Sequence, residues 1–251
     1  MNIYDAVKFR YSNRRYKFEE IDEELYKNIV DYANNIVPVF RKAEFYIDFI
    51  KATSPVNYLT NYRPIVAPYY ICFFTKTNLE SNLNMGYVMQ AFSIYLTSIG
   101  LASSFMRPTG IKLVEKDGLK PVLMMAFGKA KGLPYRDVKY AHRHALDRFI
   151  YKYDECDDFS KGMIDYGVLA PSRLNQQPWR FEKRGNDIDI YLYRRFDSYR
   201  KADEVSVGAV LCNMLLYAEE KWHKAKVELN RVTVSHFKNA DYICSIVLDS
   251  E

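Results

Sequence analysis

The chain has 251 residues, 49% hydrophobic and 16% aromatic, with a formal net charge of +5, enough to bury a large core as one domain or as two intimately packed halves. No apolar run reaches the ~20 residues of a membrane-spanning helix, and charges stand where a signal peptide needs its apolar core in "MNIYDAVKFRYSNRR", so a cytoplasmic protein with no membrane partner is expected. Basic and acidic residues are interleaved, which argues against a nucleic-acid-binding stripe; Cys72, Cys156, Cys212 and Cys244 lack zinc spacing and read as reduced thiols.

In chain order, the first unusual stretch is "RYSNRRY" (10–16), where Arg10, Ser12 and Arg14 alternate. In an extended segment these side chains project to one side and offer two guanidinium groups and a hydroxyl to a single anion, as a phosphate requires. The same stretch also reads as a solvated basic edge ahead of a helix. Asp22 caps a predicted helix carrying Leu25, Ile29, Tyr32 and Ala33. That helix runs out into "NNIVPVF" (34–40), and strands are expected at "EFYIDFI" (44–50) and "YYICFFT" (69–75).

Met85, Val88, Met89, Phe92, Tyr95, Leu96 and Ile99 then recur at helical spacing up to Gly100, predicting a long, largely buried helix with a glycine stop. A strand is expected at "PVLMMAFG" (121–128), followed by the local basic cluster "HRHALDR". His142 and His144 read as surface residues, and no metal is assigned. An apolar helix pattern leads into "APSRLNQQPW" (170–179), in which two prolines bracket Ser172, Asn175, Gln176 and Gln177. Such a loop offers amides and a hydroxyl to the edge of a flat polar ligand; it is equally a helix exit in which Trp179 plugs the core. "WRFEKR" and "DIDIYLYR" flank Gly185-Asn186 as a hairpin. Val207, Leu211, Met214, Leu215, Ala218 and Trp222 line a second long helix, and "DYICSIVLD" (241–249) is the last strand.

The order of elements repeats. "IVDYANNIVP" (29–38) parallels "MIDYGVLAP" (163–171), and "MGYVMQAFSIYL" (85–96) parallels "VGAVLCNMLLYA" (207–218), both long-helix stretches opening on an apolar residue and Gly. The reading is an α+β protein of two related halves, residues 1–150 and 151–251, packed about a pseudo-twofold axis through the long helices, with ligand sites between the halves.

Together, the R-x-S-x-R start, the APS-x-x-N-x-QPW loop and the apolar-Gly helix resemble the nitroreductase superfamily of flavoproteins over nearly the whole chain. More narrowly, the chain resembles members in which two halves are fused in tandem and mimic the usual homodimer. The resemblance implies FMN, its phosphate held by Arg10, Ser12 and Arg14. It implies that Pro171, Ser172, Asn175 and Gln177 touch the ring and its polar edge, that Arg107, Pro108 and Thr109 of "MRPTG" lie along one ring face, and that Arg143 is a further phosphate-binding residue. "NNIVPVF" keeps Pro38 but lacks the Ser and Asn of the other copy, and the second half has no R-x-S-x-R. One FMN per chain is therefore expected, in a protein that need not dimerise to make its site.

The implied activity is an FMN-dependent oxidoreductase that uses NAD(P)H to reduce nitroaromatic, quinone-like or other conjugated acceptors by ping-pong turnover. Without a G-x-G-x-x-G, the nicotinamide donor is expected to visit transiently. The flavin supplies the redox chemistry, so no catalytic side chain is nominated. The alternatives are a flavin-binding carrier or sensor without turnover, and a non-flavin interaction module.

Overall fold

The two apolar-glycine stretches form the long helices α3 (Leu79–Ser98) and α5 (Arg200–Glu220), and these cross at their glycines. A Cβ on Gly86 would lie 1.9 Å from the Val205 carbonyl oxygen, and one on Gly208 would lie 2.0 Å from that of Leu83. The two contacts are reciprocal: 208 − 86 and 205 − 83 are both 122, so a single offset exchanges one glycine and its partner for the other. Such self-complementary contact is the signature of a twofold axis, here within one chain. Polar side chains are buried along the same crossing. Asn82 donates to Glu204 at 2.8 Å, Gln90 donates to Asn213 at 2.8 Å, and Asn213 donates to the Tyr166 carbonyl at 2.9 Å.

The computed structural model describes residues 1–52, 65–108, 115–194, 196–231 and 234–248. Two four-stranded antiparallel sheets flank the helices. The first, with strands β1 (Phe45–Lys51), β2 (Tyr69–Thr75), β3 (Ala102–Met106) and β4 (Lys120–Gly128), has the order β1-β2-β4-β3. The second, with β5 (Trp179–Arg184), β6 (Asp187–Tyr193), β7 (Ala225–Glu228) and β8 (Ala240–Leu248), has the order β5-β6-β8-β7. The topology is the same in both. Even the register irregularity repeats, between Phe73 and Phe74 in one sheet and between Ile190 and Tyr191 in the other.

Helix α2 (Glu23–Asn34) covers the first sheet and α4 (Asp158–Gly167) the second. Asp22 caps α2 as expected, accepting from the N–H groups of Glu24 and Leu25, and Ile29 and Ala33 are buried while Tyr32 stacks on Tyr95 with centroids 3.7 Å apart. One core cluster gathers Phe73, Phe92 and Phe127 in the first half and another Met163, Trp179 and Phe181 in the second, with further clusters around Tyr70, Cys72 and Met124 and around Val7, Ile94 and Cys212. Phe149 and Ile150 pack into the second cluster, where Phe181 donates to the Phe149 carbonyl at 2.7 Å.

Three short elements escape the sequence reading: α1 (Ile3–Phe9), β3 and β7. One expectation is corrected. Trp222 does not continue the buried face of α5: the helix ends at Glu220, Trp222 has φ of 63° and its side chain is 95% exposed. The N–H groups of Trp222 and His223 turn back to the Glu219 and Ala218 carbonyls, and this left-handed closure of the last turn swings the indole outward. The four cysteines are free and buried. Among the described residues no helix is long and apolar enough to cross a membrane.

Candidate functional site

Helix α1 is capped by Asn2, whose side chain accepts from Asp5 N–H at 2.7 Å, and it ends at Arg10 in extended backbone. The chain beyond is zipped into the first half. Asn13 N–H donates to the Ser103 carbonyl at 3.0 Å, Lys17 N–H to that of Lys129 at 2.9 Å, and Lys131 N–H to that of Arg15 at 2.9 Å. Tyr16, buried, donates its hydroxyl to the Asn13 and Ala126 carbonyls. The segment is thus extended, and its backbone is fixed independently of any ligand.

Arg10 is only 7% exposed, and its Nε and Nη1 are buried with no hydrogen-bond partner. Burial first, then the neighbouring charges of Arg143 and Arg136, pull its pKa down to about 9. A guanidinium does not give up its proton at neutral pH, so this shift measures the cost of a buried cation facing other cations. Uncompensated, such an arrangement is strongly unfavourable. Arg136, half-buried, lies over the Tyr11 ring at 5.4 Å, and Arg136 N–H donates to the Phe9 carbonyl at 2.9 Å.

Arg143 has a different place. Its Nε donates to the Val168 carbonyl at 2.6 Å, Nη1 donates to the His142 carbonyl and to Asn175 Oδ1, and Nη2 donates to the Leu169 and Ala170 carbonyls. The fork thus gathers the carbonyls beyond the end of α4 and ties the loop that follows it to the segment around His142. Burial, followed by Arg136, lowers its pKa to about 10. Its N–H groups are occupied, so it acts on an anion beside Arg10 through charge and through the loop it positions.

That loop is clasped from within. Gln177 N–H donates to Ser172 Oγ at 2.9 Å, Gln177 Nε2 donates to the Asn175 carbonyl at 3.0 Å, and Gln177 Oε1 accepts from His144 N–H at 3.1 Å. Asn175 Nδ2 donates to the His142 carbonyl at 3.0 Å. Leu174, Asn175 and Gln177 all have positive φ, at 51°, 56° and 49°, a costly conformation for leucine. Leu174 is also 76% exposed. Leu174→Asn, which tolerates this backbone, is expected to stabilise the ligand-free protein by about 0.5–1 kcal/mol, read as a higher urea midpoint with unchanged slope; a lower midpoint would show that the leucine side chain itself holds the loop.

The structure joins Arg143, Ser172, Asn175 and Gln177 in one hydrogen-bonded network, with Pro171 half-buried beside them and Arg10 near enough to Arg143 to feel its charge. Ser12 is half-buried and bridges to Ser103, whereas Arg14 is exposed and is not among the charges acting on Arg10. Arg107 is exposed and Pro108 half-buried at the end of β3; Thr109 lies outside the described residues. The residue missed from sequence is Arg136. It reaches the cluster because the chain after β4 returns alongside segment 10–17, a non-local pairing with no local motif.

Two halves of α+β topology about crossed long helices, each with a four-stranded antiparallel sheet of the same order, give the chain a nitroreductase-like fold. The chain belongs to the family described as "Putative TM nitroreductase", whose model matches residues 2–218. Family membership makes its general class that of an oxidoreductase. A putative nitroreductase from Thermotoga maritima shares the fold, with 18% identity, a TM-score of 0.69, and coverage of 99% of this chain and 94% of that one. A nitroreductase family protein from Clostridium difficile matches at 18% identity and a TM-score of 0.46, covering 61% of this chain and 99% of its own. A nitroreductase with bound FMN from Desulfitobacterium hafniense matches at 17% identity and a TM-score of 0.47, covering 60% and 98%. No curated protein matches the chain.

Proposed function

We propose that the chain binds FMN between its two halves and works as an NAD(P)H-dependent reductase of nitroaromatic, quinone-like or other flat conjugated acceptors. The observation that carries this reading is Arg10: a buried guanidinium with two unpartnered nitrogens, next to the charges of Arg136 and Arg143. Such a group calls for an anion, and a phosphate monoester meets it with several acceptor oxygens. The resemblance to nitroreductases points to FMN as that anion, and the buried, unpartnered nitrogens of Arg10 suit its phosphate.

In this reading Arg10 and Arg136 hold the phosphate, with Ser12 and Arg14 completing its outer side. Asn175 and Ser172 orient the polar edge of the ring, on a loop that Arg143 ties across the junction. Gln177, 1% exposed, and Trp179, fully buried, close the floor behind that loop against water. Bound FMN would supply hydride acceptance and onward electron transfer. The donor and acceptor are small molecules that visit the same site in turn, and residues 1–150 and 151–251 act as the two halves of one site-forming unit.

The test is a calorimetric comparison of FMN with riboflavin on ligand-free protein. FMN should bind at least tenfold more tightly, because charge-assisted contacts to the phosphate are worth about 1.5–3 kcal/mol each. Equal affinities would remove the phosphate from the Arg10 cluster. With FMN bound, bleaching of the flavin band by NADH or NADPH under anaerobic conditions distinguishes a reductase from a carrier that never turns over.

A further inference from the structure

A twofold arrangement presents each surface between the halves twice, so a site on one has a counterpart on the other. Segment 35–44 stands between α2 and β1 as segment 168–178 stands between α4 and β5. Both reach the opposite half, but they are held there by different chemistry. The second-half loop is gripped by Arg143 next to a buried, unpartnered Arg10. The first-half segment is gripped by a neutral amide: Phe40 N–H donates to Asn84 Oδ1 at 2.9 Å, and Asn84 Nδ2 donates to the Phe40 carbonyl at 2.8 Å.

Asn84 is 1% exposed on α3. So clamped, Phe40 packs against the second core, the cluster that includes Leu83, Trp179 and Val210. The basic residues that follow it in the chain, Arg41 and Lys42, are both exposed. The buried charges on the second sheet belong elsewhere: Arg180 and Glu182 on β5 alternate with the core residues Trp179 and Phe181, and Asp189 on β6 lies between Ile188 and Ile190, so all three face away from the helices. One junction therefore combines a polar loop with a buried cation in need of an anion, while at the other a half-buried aromatic ring packs against the apolar cluster.

We infer that the chain holds one planar anionic ligand, on the Arg10 side, and that Phe40, locked by Asn84, closes the symmetry-related face. This rests on the FMN reading and adds to it which half-junction is open and what shuts the other. A half-buried phenyl ring packed against the cluster takes up room that a second ring would need, and the adjoining Arg41 and Lys42, both exposed, offer a phosphate no desolvated cation.

The experiment counts ligands and locates them. Flavin absorbance after denaturation of FMN-saturated protein should give one FMN per chain, and hydrogen exchange should show FMN protecting residues 170–177 but not 36–44. Arg10→Ala should raise the FMN dissociation constant at least tenfold while leaving the lumiflavin count at one; an unchanged FMN affinity would overturn the placement on the Arg10 side. Two FMN per chain, or protection of 36–44 comparable to that of 170–177, would overturn the inference. With lumiflavin at high concentration, a ring without a phosphate, Phe40→Ala should raise the count from one to two; an unchanged count in the folded variant overturns the role given to Phe40. Absence of FMN binding to the unaltered chain is a different failure: it sinks the cofactor reading, and the inference with it.

Discussion

Arg10→Met should make the ligand-free protein more stable and the FMN complex at least tenfold weaker, two effects of opposite sign from one side chain. In the ligand-free chain the Arg10 Nε and Nη1 are stripped of water and given nothing in return, a desolvation cost of about 1–3 kcal/mol. Methionine keeps much of the length and carries no charge. The gain should appear as a thermal midpoint raised by roughly 2–4 °C per kcal/mol for a chain of this size. The complex loses one or two charge-assisted contacts, each worth about 1.5–3 kcal/mol, so the dissociation constant should rise about ten- to a hundredfold per contact. Riboflavin affinity should hardly move. A less stable variant with unchanged FMN affinity would make Arg10 a structural residue and leave the phosphate without a site.

The candidate site is legible in sequence where its residues fall within one short run. Arg10, Ser12 and Arg14 alternate inside "RYSNRRY", so the pattern shows without any distant partner. The amide-rich "APSRLNQQPW" is local in the same way: its left-handed backbone at Leu174, Asn175 and Gln177 is held by the internal clasp between Ser172 and Gln177. Segments whose role is set by distant partners were not legible. Arg136 joins the cluster through the return of the chain beside segment 10–17, and Phe40 gains its place only through Asn84, 44 residues away. Strands β1 and β2 could be read from runs of aromatic and β-branched residues and β4 from a run of apolar ones, whereas β3 and β7 span only five and four residues, too few for a period to show. Trp222 fitted the helical spacing and still lies outside, because the hydrogen bonds that close the last turn of α5 outrank its apolar surface.

The largest expected loss of stability comes from the crossing of α3 and α5. Gly86→Ala would place its methyl 1.9 Å from the Val205 carbonyl oxygen and 2.8 Å from its carbon. These are backbone atoms of another helix, so no side-chain rotation relieves the clash and the helices must separate along their buried length. Overpacking that side chains can absorb costs about 1–3 kcal/mol; here the cost should exceed about 3 kcal/mol. Gly208→Ala, facing the Leu83 carbonyl at 2.0 Å, should cost about the same. Gly162→Ala makes a useful contrast, since its methyl would meet the hydroxyl end of Tyr217, a group that can turn aside, and its cost should be well below either. The double variant Gly86→Ala/Gly208→Ala tests the shared axis. Both methyls press on a single crossing, so one separation of the helices makes room for both, and the double variant should fall short of the summed single costs by about 1–3 kcal/mol. Urea unfolding of the four proteins measures this. Strict additivity would mean that the two glycines relax independently, and that the crossing is two separate contacts and not one twofold interface inside a single chain.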